Sequence, residues 1–484
     1  MAAVAAPAVE ALDPRRWKAL ALVCAAFFMT VLDISIVNVA LPTIGVKLHF
    51  SETSLQWVIT AYALTFGGFL LLGGRAADYL GRRRVFMVGL VLFTAASLVC
   101  GLASSEAMLI TSRAVQGLGA AIISPATLSI IMSLFPEGAE RNKALGIWGA
   151  MGGSGAAVGV LAGGLLTKYL GWEWIFFVNV PVGAAALALT PRLVPESRVE
   201  VQQRRYDALG ATLVTSGLVL LVYAISRAPI EGWGSTKIIV LLIASAALLL
   251  AFLAVERTAK DPILPFRIFR TRTVAGANVV GFLLGAVVFS NFFVLTLYVQ
   301  GVLGWSALKT GATFIATAGT VVIVAAPTQA LVTRYGPKWI LATGMALTAG
   351  AMIWYAQVPV SGDYVSDLLP GYLMMGVGLA FSFIPVSIAA LAGVQVKESG
   401  LASGLINTSQ QIGGAIGVAV ASTIAASHTR SLGLGPHSLV ALTAGYTWAF
   451  WALAGIAIAG VIATITLVKQ DEMRDVPEPV TQAG

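Results

Sequence analysis

The chain has 484 residues, of which 58% are apolar and 11% are charged, and its formal net charge is +8. A soluble domain usually has about a quarter charged residues, so this composition excludes a chain that water surrounds over most of its surface. A helix that crosses a lipid bilayer needs roughly 20 mainly apolar residues. Segments of that kind recur from end to end, which predicts an all-helical, polytopic membrane protein.

Fourteen apolar segments are predicted to cross the membrane. They lie at residues 18–42, 54–74, 85–103, 109–133, 143–168, 174–191, 208–226, 237–255, 273–300, 310–332, 339–357, 368–392, 402–426 and 445–468. The first is not expected to be a cleaved signal peptide, because its apolar run is too long and no small-residue cleavage pattern follows it.

The lysines and arginines are divided unevenly between the connections on the two sides. The set that includes both termini holds 23 of them, and the other set holds six. Cytoplasmic connections of membrane proteins carry the excess of Lys and Arg, so both termini are predicted to be cytoplasmic. Topology therefore explains the positive charge, and no nucleic-acid partner is expected. The Arg-rich, Lys-poor composition indicates a GC-rich source, and we expect the protein in a bacterial inner membrane.

Two charged residues lie well inside predicted spans, Asp33 in span 1 and Arg113 in span 4. Each costs about 2.5–3.5 kcal/mol at the centre of an inserted helix, so each needs a reason to be there. One hypothesis is a buried ion pair that only fixes helix packing. The other is a proton or cation site, the usual role of an acid within a membrane. Since no second acid lies within a span, the second hypothesis predicts one proton per cycle, bound at Asp33.

Few other residues could bind a metal ion or a nucleotide. Cys24 and Cys100 lie inside apolar spans, where they behave as small hydrophobic residues. His49, His428 and His437 fall in or near predicted outer loops, and no cluster has metal-ligand spacing. No phosphate-binding Gly-Lys-Ser/Thr loop is visible, which argues against an ATP-driven pump. We expect no metal and no cofactor, and transport driven by an ion gradient or running downhill.

The chain contains a degenerate tandem repeat. RAVQGLGAAIISP, residues 113–125, aligns with YLMMGVGLAFSFIP, residues 372–385, through a pair of glycines at constant offset. GRAADYLGRRR, residues 74–84, is partly matched by QALVTRYGPK, residues 329–338. Six spans therefore recur as spans 9–14, with two spans inserted between the halves. Parallel halves that enclose a cavity are a recurring plan of transporters.

This repeat divides the chain into four parts. They are a first six-helix bundle at 1–191, a linker region with two extra spans at 192–272, a second six-helix bundle at 273–468 and a cytoplasmic tail at 469–484.

Five motifs together resemble one family. They are LDISIVNVALP at 32–42, GRAADYLGRRR at 74–84, SRAVQGLGAA at 112–121, GAAVGVLAGGLL at 155–166 and GWEWIFFVNVPVG at 171–183. They are similar to signatures of the fourteen-span drug:proton antiporters of the major facilitator superfamily. The resemblance continues through YVQ and GLINTSQQIGGAIGVA in the second half. It implies the major facilitator fold with two inserted helices, alternating access, and export in exchange for protons that involves Asp33 and Arg113.

The connection between spans 2 and 3 carries the second of these motifs. The resemblance implies a latch that stabilises the outward-facing state, formed by Gly74, Asp78, Gly81, Arg82 and Arg83. A plain cluster of charges that sets topology is the alternative. It explains the arginines but neither the acid nor the glycines, so we favour the latch.

Span 5 has glycines at every fourth position, Gly155, Gly159 and Gly163. They share one face of a helix, so we expect close packing against a neighbouring helix, and a link to export comes only from the resemblance. Val160 departs from the family pattern, which has proline there, and this weakens an expected kink. Glu173 departs from the next motif, which often has arginine, and we expect an effect only at the outer rim.

Neutral polar and aromatic residues in the spans are candidates for the wall of a substrate cavity, with simple helix packing as the alternative. They are Asn38, placed on the face of Asp33, and Gln56, Trp57, Tyr62, Trp148, Asn291, Tyr298, Gln300, Phe381, Asn407, Gln410 and Gln411. Such a lining beside one acid suits lipophilic cations or neutral amphiphiles.

These observations favour an exporter of drugs, dyes or antibiotics. A dedicated exporter of one endogenous metabolite or self-made antibiotic is the alternative within transport. A membrane enzyme or receptor would need a catalytic constellation or a sizeable extramembrane domain, and neither is visible, so we do not expect an enzyme. We expect a monomer, because the cavity lies between the halves of one chain.

Overall fold

The structure is a computed structural model that describes residues 14–135, 139–197, 208–259, 262, 269, 271–392, 399–435 and 438–470. Its long regular elements in those ranges are all helices. They are α1 (Arg16–Lys47), α2 (Glu52–Leu55), α3 (Trp57–Leu80), α4 (Arg82–Gly101), α5 (Glu106–Leu134), α6 (Ala139–Tyr169), α7 (Trp174–Phe177), α8 (Asn179–Leu193), α9 (Ala208–Glu231), α10 (Thr236–Thr258), α11 (Arg272–Gly301), α12 (Ala307–Thr313), α13 (Ile315–Tyr335), α14 (Pro337–Tyr355), α15 (Leu369–Ala390), α16 (Ser399–Ser431) and α17 (Leu439–Leu467), with a π-helical turn at Tyr364–Leu368 before α15.

Every predicted span coincides with helical structure. Eleven spans match one long helix each, and the other three match a short helix followed by a longer one: α2 and α3, α7 and α8, and α12 and α13. Within the described residues, 12 helical elements are long and apolar enough to cross a membrane. Helices α6 and α14 are not among those twelve. The all-helical, multi-pass fold is therefore confirmed.

Five helical elements begin with a serine cap. The side chains of Ser51, Ser105, Ser235, Ser306 and Ser438 each accept a hydrogen bond from the backbone N–H three residues later. A cap of this kind satisfies one of the N–H groups that a helix start leaves unpaired and stabilises it by about 0.5–2 kcal/mol. These local signals fix where the helices begin.

Two turns retain the repeat that the sequence shows. Gly81, between α3 and α4, has φ +110°, and Gly336, between α13 and α14, has φ +84°. Glycine adopts positive φ without the steric cost that a Cβ atom brings. Pro337 follows directly as the first residue of α14, where its missing N–H costs nothing. The segment at 74–84 and the partly matching segment at 329–338 thus form equivalent turns in the two halves.

Helix α1 begins and helix α17 ends on the same side of the bundle. Gln300, near the end of α11, donates to the Val39 carbonyl in the second half of α1 at 2.8 Å, so α1 and α11 run in parallel. The Lys469 N–H, just after α17, donates to Thr273 Oγ1 at the start of α11 at 3.0 Å. We call this the terminal side, where α1 begins and α17 ends, and the other the opposite side.

The largest apolar core joins the two halves on the opposite side. That core joins first-half residues such as Ile36, Leu55 and Trp172 to second-half residues such as Leu295 and Tyr298. Nearer the terminal side, the first half has a separate core built only from α1 to α8. The halves are therefore closed against each other on the opposite side.

The two inserted helices form a hairpin. Ser245 of α10 donates to the Gly217 carbonyl of α9 at 2.7 Å. Helix α9 packs on α3 of the first half and on α16 of the second. The α10 surface is mostly uncovered, since only 17% of its apolar window is buried. The insert thus lies over the seam between the halves.

Candidate functional site

The two charged residues singled out in the spans form a buried ion pair. Arg113 Nη1, from α5, donates to Asp33 Oδ2, from α1. Asp33 is 0% exposed and Arg113 is 1% exposed. Charges removed from water are stable only when paired and further hydrogen-bonded, so the surroundings of this pair decide its chemistry.

Two neutral amides complete the shell around the Asp33 carboxylate. Gln116 Nε2 and Asn179 Nδ2 each donate to Asp33 Oδ1 at 2.9 Å. Gln116 Oε1 also accepts from Arg113 Nη1 at 2.7 Å. Neither amide was predicted from the sequence, although the position of Gln116, three residues after Arg113 on one helix, was an available signal. Both carboxylate oxygens are thus hydrogen-bonded.

The arginine is held by the backbone and by aromatic rings. Arg113 Nε donates to the Val58 carbonyl of α3 at 2.9 Å. Its guanidinium carbon lies 4.3 Å from the centre of the Tyr62 ring and 5.7 Å from that of Phe176. Cation–π contacts of desolvated groups stabilise them by about 2 kcal/mol or more. Tyr62, a candidate for the cavity wall, is therefore placed in the charged site.

The glycine face of α6 packs on the part of α1 that carries the acid. A Cβ atom on Gly159 would lie 2.0 Å from Ser35 Oγ, and one on Gly163 would lie 2.5 Å from the Ile36 carbonyl oxygen. On Gly155 it would lie 3.1 Å from a side chain of α1. Larger residues do not fit at Gly159 or Gly163 without moving the helices apart. Close helix approach here fixes the position of the buried carboxylate.

The turn between α3 and α4 contacts the segment that follows α8, at the start of the linker region. The Arg82 N–H donates to the Ser197 carbonyl at 2.9 Å, and the Arg83 N–H donates to Glu196 Oε1 at 3.1 Å. The Arg83 side chain also pairs with Glu196, at 3.7 Å between Nε and Oε2. Glu196 lies so close to Gly81 that a Cβ atom there would be 2.7 Å from Oε1. Glu196 was not predicted from the sequence, where its signal is an acid amid the arginines that follow span 6.

The remaining latch candidates lie on α3. Gly74 faces Pro125 of α5, and a Cβ atom on the glycine would lie 3.4 Å from the Pro125 Cβ. The side chain of Asp78 lies outside the part of the chain that the structure describes. Neighbouring Arg75 donates to the Pro262 carbonyl, in the connection to α11, at 2.6 Å. The turn thus connects the first half to two linker segments.

Two cavity candidates contact the inserted helix α9. Gln56 Nε2 donates to Ser226 Oγ at 2.5 Å. The Trp57 ring lies 6.3 Å from the Tyr223 ring, centre to centre. The structure therefore places both residues between α3 and α9.

Two more first-half candidates lie apart from the ion pair. Asn38 donates to the Ile34 carbonyl of its own helix at 3.0 Å. Five residues of a helix with 3.6 residues per turn rotate a side chain by about 140°, so Asn38 does not share the face of Asp33. Trp148 stacks on Phe27, with ring centres 4.4 Å apart.

The second-half candidates are spread over several environments. Tyr298 donates to the Pro359 carbonyl at 2.6 Å, and Gln300 spans the halves through Val39 as described above. Asn291 and Gln411 are buried, and each has a side-chain oxygen without a hydrogen-bond partner among the described residues. The last three are Phe381 and Gln410, which are half-buried, and Asn407, which is exposed.

Parallel helical halves, a closed seam and an ion pair buried within one half define a multi-pass membrane transporter. The Major Facilitator Superfamily model matches residues 23–418. The chain belongs to that superfamily, as its motifs indicated.

Similar proteins agree with this assignment. The chain is 39% identical over 481 residues to the puromycin resistance protein pur8 of Streptomyces alboniger, covering 98% of this chain and 95% of that protein. It is 37% identical over 465 residues to the cephamycin export protein CmcT of Amycolatopsis lactamdurans, covering 96% and 94%. The crystal structure of the POT family transporter PepTSo superimposes with a TM-score of 0.70 at 15% identity, covering 95% of this chain and 99% of that one. At that identity the likeness concerns the fold alone.

Proposed function

We propose that this protein is a proton-coupled antiporter that exports antibiotics or other lipophilic, often cationic, compounds across a bacterial inner membrane. The observation that carries the proposal is the fully buried Asp33–Arg113 pair inside a major facilitator fold. The names of the two relatives, one a resistance protein and one an export protein, support the outward direction.

The buried pair gives a physical basis for coupling. Asp33 has no contact with solvent in this state, so a proton reaches it only after the surrounding helices rearrange. In our proposal, the carboxylate takes a proton when its site opens to the outside and returns it to the cytoplasm. Arg113 stabilises the carboxylate once the proton has left, and no cofactor beyond the proton is needed.

The positive-inside pattern assigns the sides in this proposal. The terminal side is cytoplasmic, and the opposite side, where the halves share a core, faces outward. This arrangement corresponds to a state closed to the outside. We further propose fourteen membrane spans in one chain that acts as a carrier and not as an enzyme, and that works as a monomer.

A dedicated exporter of one antibiotic is the second candidate. Each of the two relatives is named for a single antibiotic, puromycin or cephamycin, which favours narrow specificity. The neutral amides and aromatic rings among the cavity candidates favour broader recognition of apolar compounds. The two candidate functions therefore differ in how many compounds the protein transports.

The deciding experiment measures ethidium movement in proteoliposomes with and without an imposed pH gradient. We expect uptake driven by the gradient in the wild type and its loss in Asp33→Asn. Glu231→Gln, which changes an acid paired with Lys237 near the end of α9, serves as the matched control and retains transport. Full gradient-driven transport by Asp33→Asn would contradict the proton site. If only puromycin, among ethidium, puromycin and a cephalosporin, is moved, the narrow exporter is favoured.

A further inference from the structure

We infer that Asn179 is a positioning residue for proton coupling, which holds Asp33 Oδ1 and joins α8 to the proton site. The inference rests on the proposed function and extends it to a residue that has no assigned role. Asn179 Nδ2 donates to Asp33 Oδ1 at 2.9 Å and to Ser97 Oγ of α4 at 3.0 Å. Its amide thus uses both hydrogens, one on the acid and one on a neighbouring helix.

The direction of these hydrogen bonds is determined by the partners. Ser97 Oγ donates its own hydrogen to the Phe176 carbonyl at 2.9 Å, so its oxygen can only accept from Asn179. An ionised carboxylate also only accepts. Both partners therefore hold the NH₂ group of Asn179 toward Asp33, and the side chain is pre-oriented for the ionised acid.

Protonation of Asp33 disturbs this arrangement. Oδ1 accepts from both Asn179 and Gln116, while Oδ2 accepts from Arg113. A protonated carboxyl has one fewer accepting site and one new donor, so protonation disturbs the hydrogen bonds from these three side chains. Because Asn179 is on α8 whereas Arg113 and Gln116 are both on α5, a change in the Asn179 bond acts on a different helix from a change in the other two.

The local sequence explains why an amide of α8 reaches the acid. Pro181 lacks the N–H that would bond the Phe177 carbonyl, and the helix is interrupted between α7 and α8. Asn179 is the first residue after the interruption. It is 1% exposed, among the most deeply buried polar residues of the described chain.

Other titratable groups also face the carboxylate and belong in the interpretation of any titration. Among the described residues they are Arg113 of α5, Tyr62 of α3 and Cys100 of α4, whose thiol donates to Gln116 Oε1 at 3.6 Å. The two amide hydrogens of Asn179 go to Asp33 and Ser97 and to none of these three groups. A change at Asn179 therefore reports on its bond to Asp33.

The test is an infrared pH titration of the full chain in lipid. The carbonyl band of a protonated carboxylic acid that is missing in Asp33→Asn is assigned to Asp33. In Asn179→Leu we expect the midpoint of this band to rise by about one pH unit, a tenfold change in proton affinity, because the ionised form loses a donor. Asn278→Leu is the matched control, since its buried amide links α11 to α16 through Ser409 instead, and it leaves the midpoint unchanged.

Ser97→Ala provides a second, milder variant in case Asn179→Leu fails to fold. It removes the acceptor that orients the amide, and we expect a smaller shift in the same direction. An unchanged midpoint in the folded Asn179 variant, or in Ser97→Ala when that is the only one to fold, would overturn the inference. The titration needs no substrate, so if the wild type moves none of ethidium, puromycin and a cephalosporin while the shift is observed, the export proposal fails and the positioning role stands.

Discussion

Alanine at Gly159 is expected to weaken the packing of α6 on α1. A Cβ atom there would lie 2.0 Å from Ser35 Oγ and 2.8 Å from the Leu32 carbonyl oxygen. The hydroxyl can rotate away, but the carbonyl is backbone and cannot. Ordinary contact begins at 3.4 Å, so the helices must separate by about 0.6 Å at this point. Overpacking of this kind costs about 1–3 kcal/mol.

Three further glycines make a graded series. Gly163→Ala meets the Ile36 carbonyl oxygen at 2.5 Å and should cost more than Gly159→Ala. Gly155→Ala, at 3.1 Å from the nearest atom, should cost less. Gly455→Ala in α17 has nothing within 4 Å, so we expect no loss and up to about 1 kcal/mol of gain from helix propensity.

Thermal unfolding of the purified variants in detergent measures this order, and ethidium transport measures its effect on coupling. Adding Ser35→Ala to Gly159→Ala should recover part of the loss, because it removes the nearer of the two contacts. Unfolding of Gly159→Ala and Gly163→Ala at the same temperature as Gly455→Ala would refute the close packing of α6 on α1.

Two more changes test the turn and the insert. Gly81→Ala should cost about 1–3 kcal/mol in backbone strain and also displace Glu196. It should therefore lower the unfolding temperature more than Gly433→Ala, which has positive φ but nothing within 4 Å. Equal effects of the two variants would contradict the contact with Glu196. Gln56→Leu removes a hydrogen bond between α3 and α9 and should cost about 1 kcal/mol in the same unfolding assay. Gln357→Leu should be neutral, because among the described residues the Gln357 amide donates only to the nearby Ile353 carbonyl. Equal losses of stability in the two variants would argue against a stabilising contact between α3 and α9.

The sequence alone determined the helical, multi-pass fold and singled out the two charged residues within the spans. Each membrane span is a local run of about 20 apolar residues. The spans can therefore be identified and counted one by one, without knowing which helices pack against them. Asp33 and Arg113 could be found for the same reason, because a charge in an apolar run is costly and therefore conspicuous. The glycine spacing in span 5 likewise indicated a close helix contact, although not its partner.

Only the tertiary structure decided which neutral side chains surround the acid. An amide in a span has little cost and many possible partners, so nothing local separates Asn179, which bonds Asp33, from Asn38, which bonds its own helix. The same holds for Gln56, which the fold places against α9. Hydropathy and charge are properties of one segment, whereas a hydrogen bond between helices depends on how several segments pack. The two buried charges could therefore be found in the sequence, whereas their contact and the amides that orient the carboxylate could not.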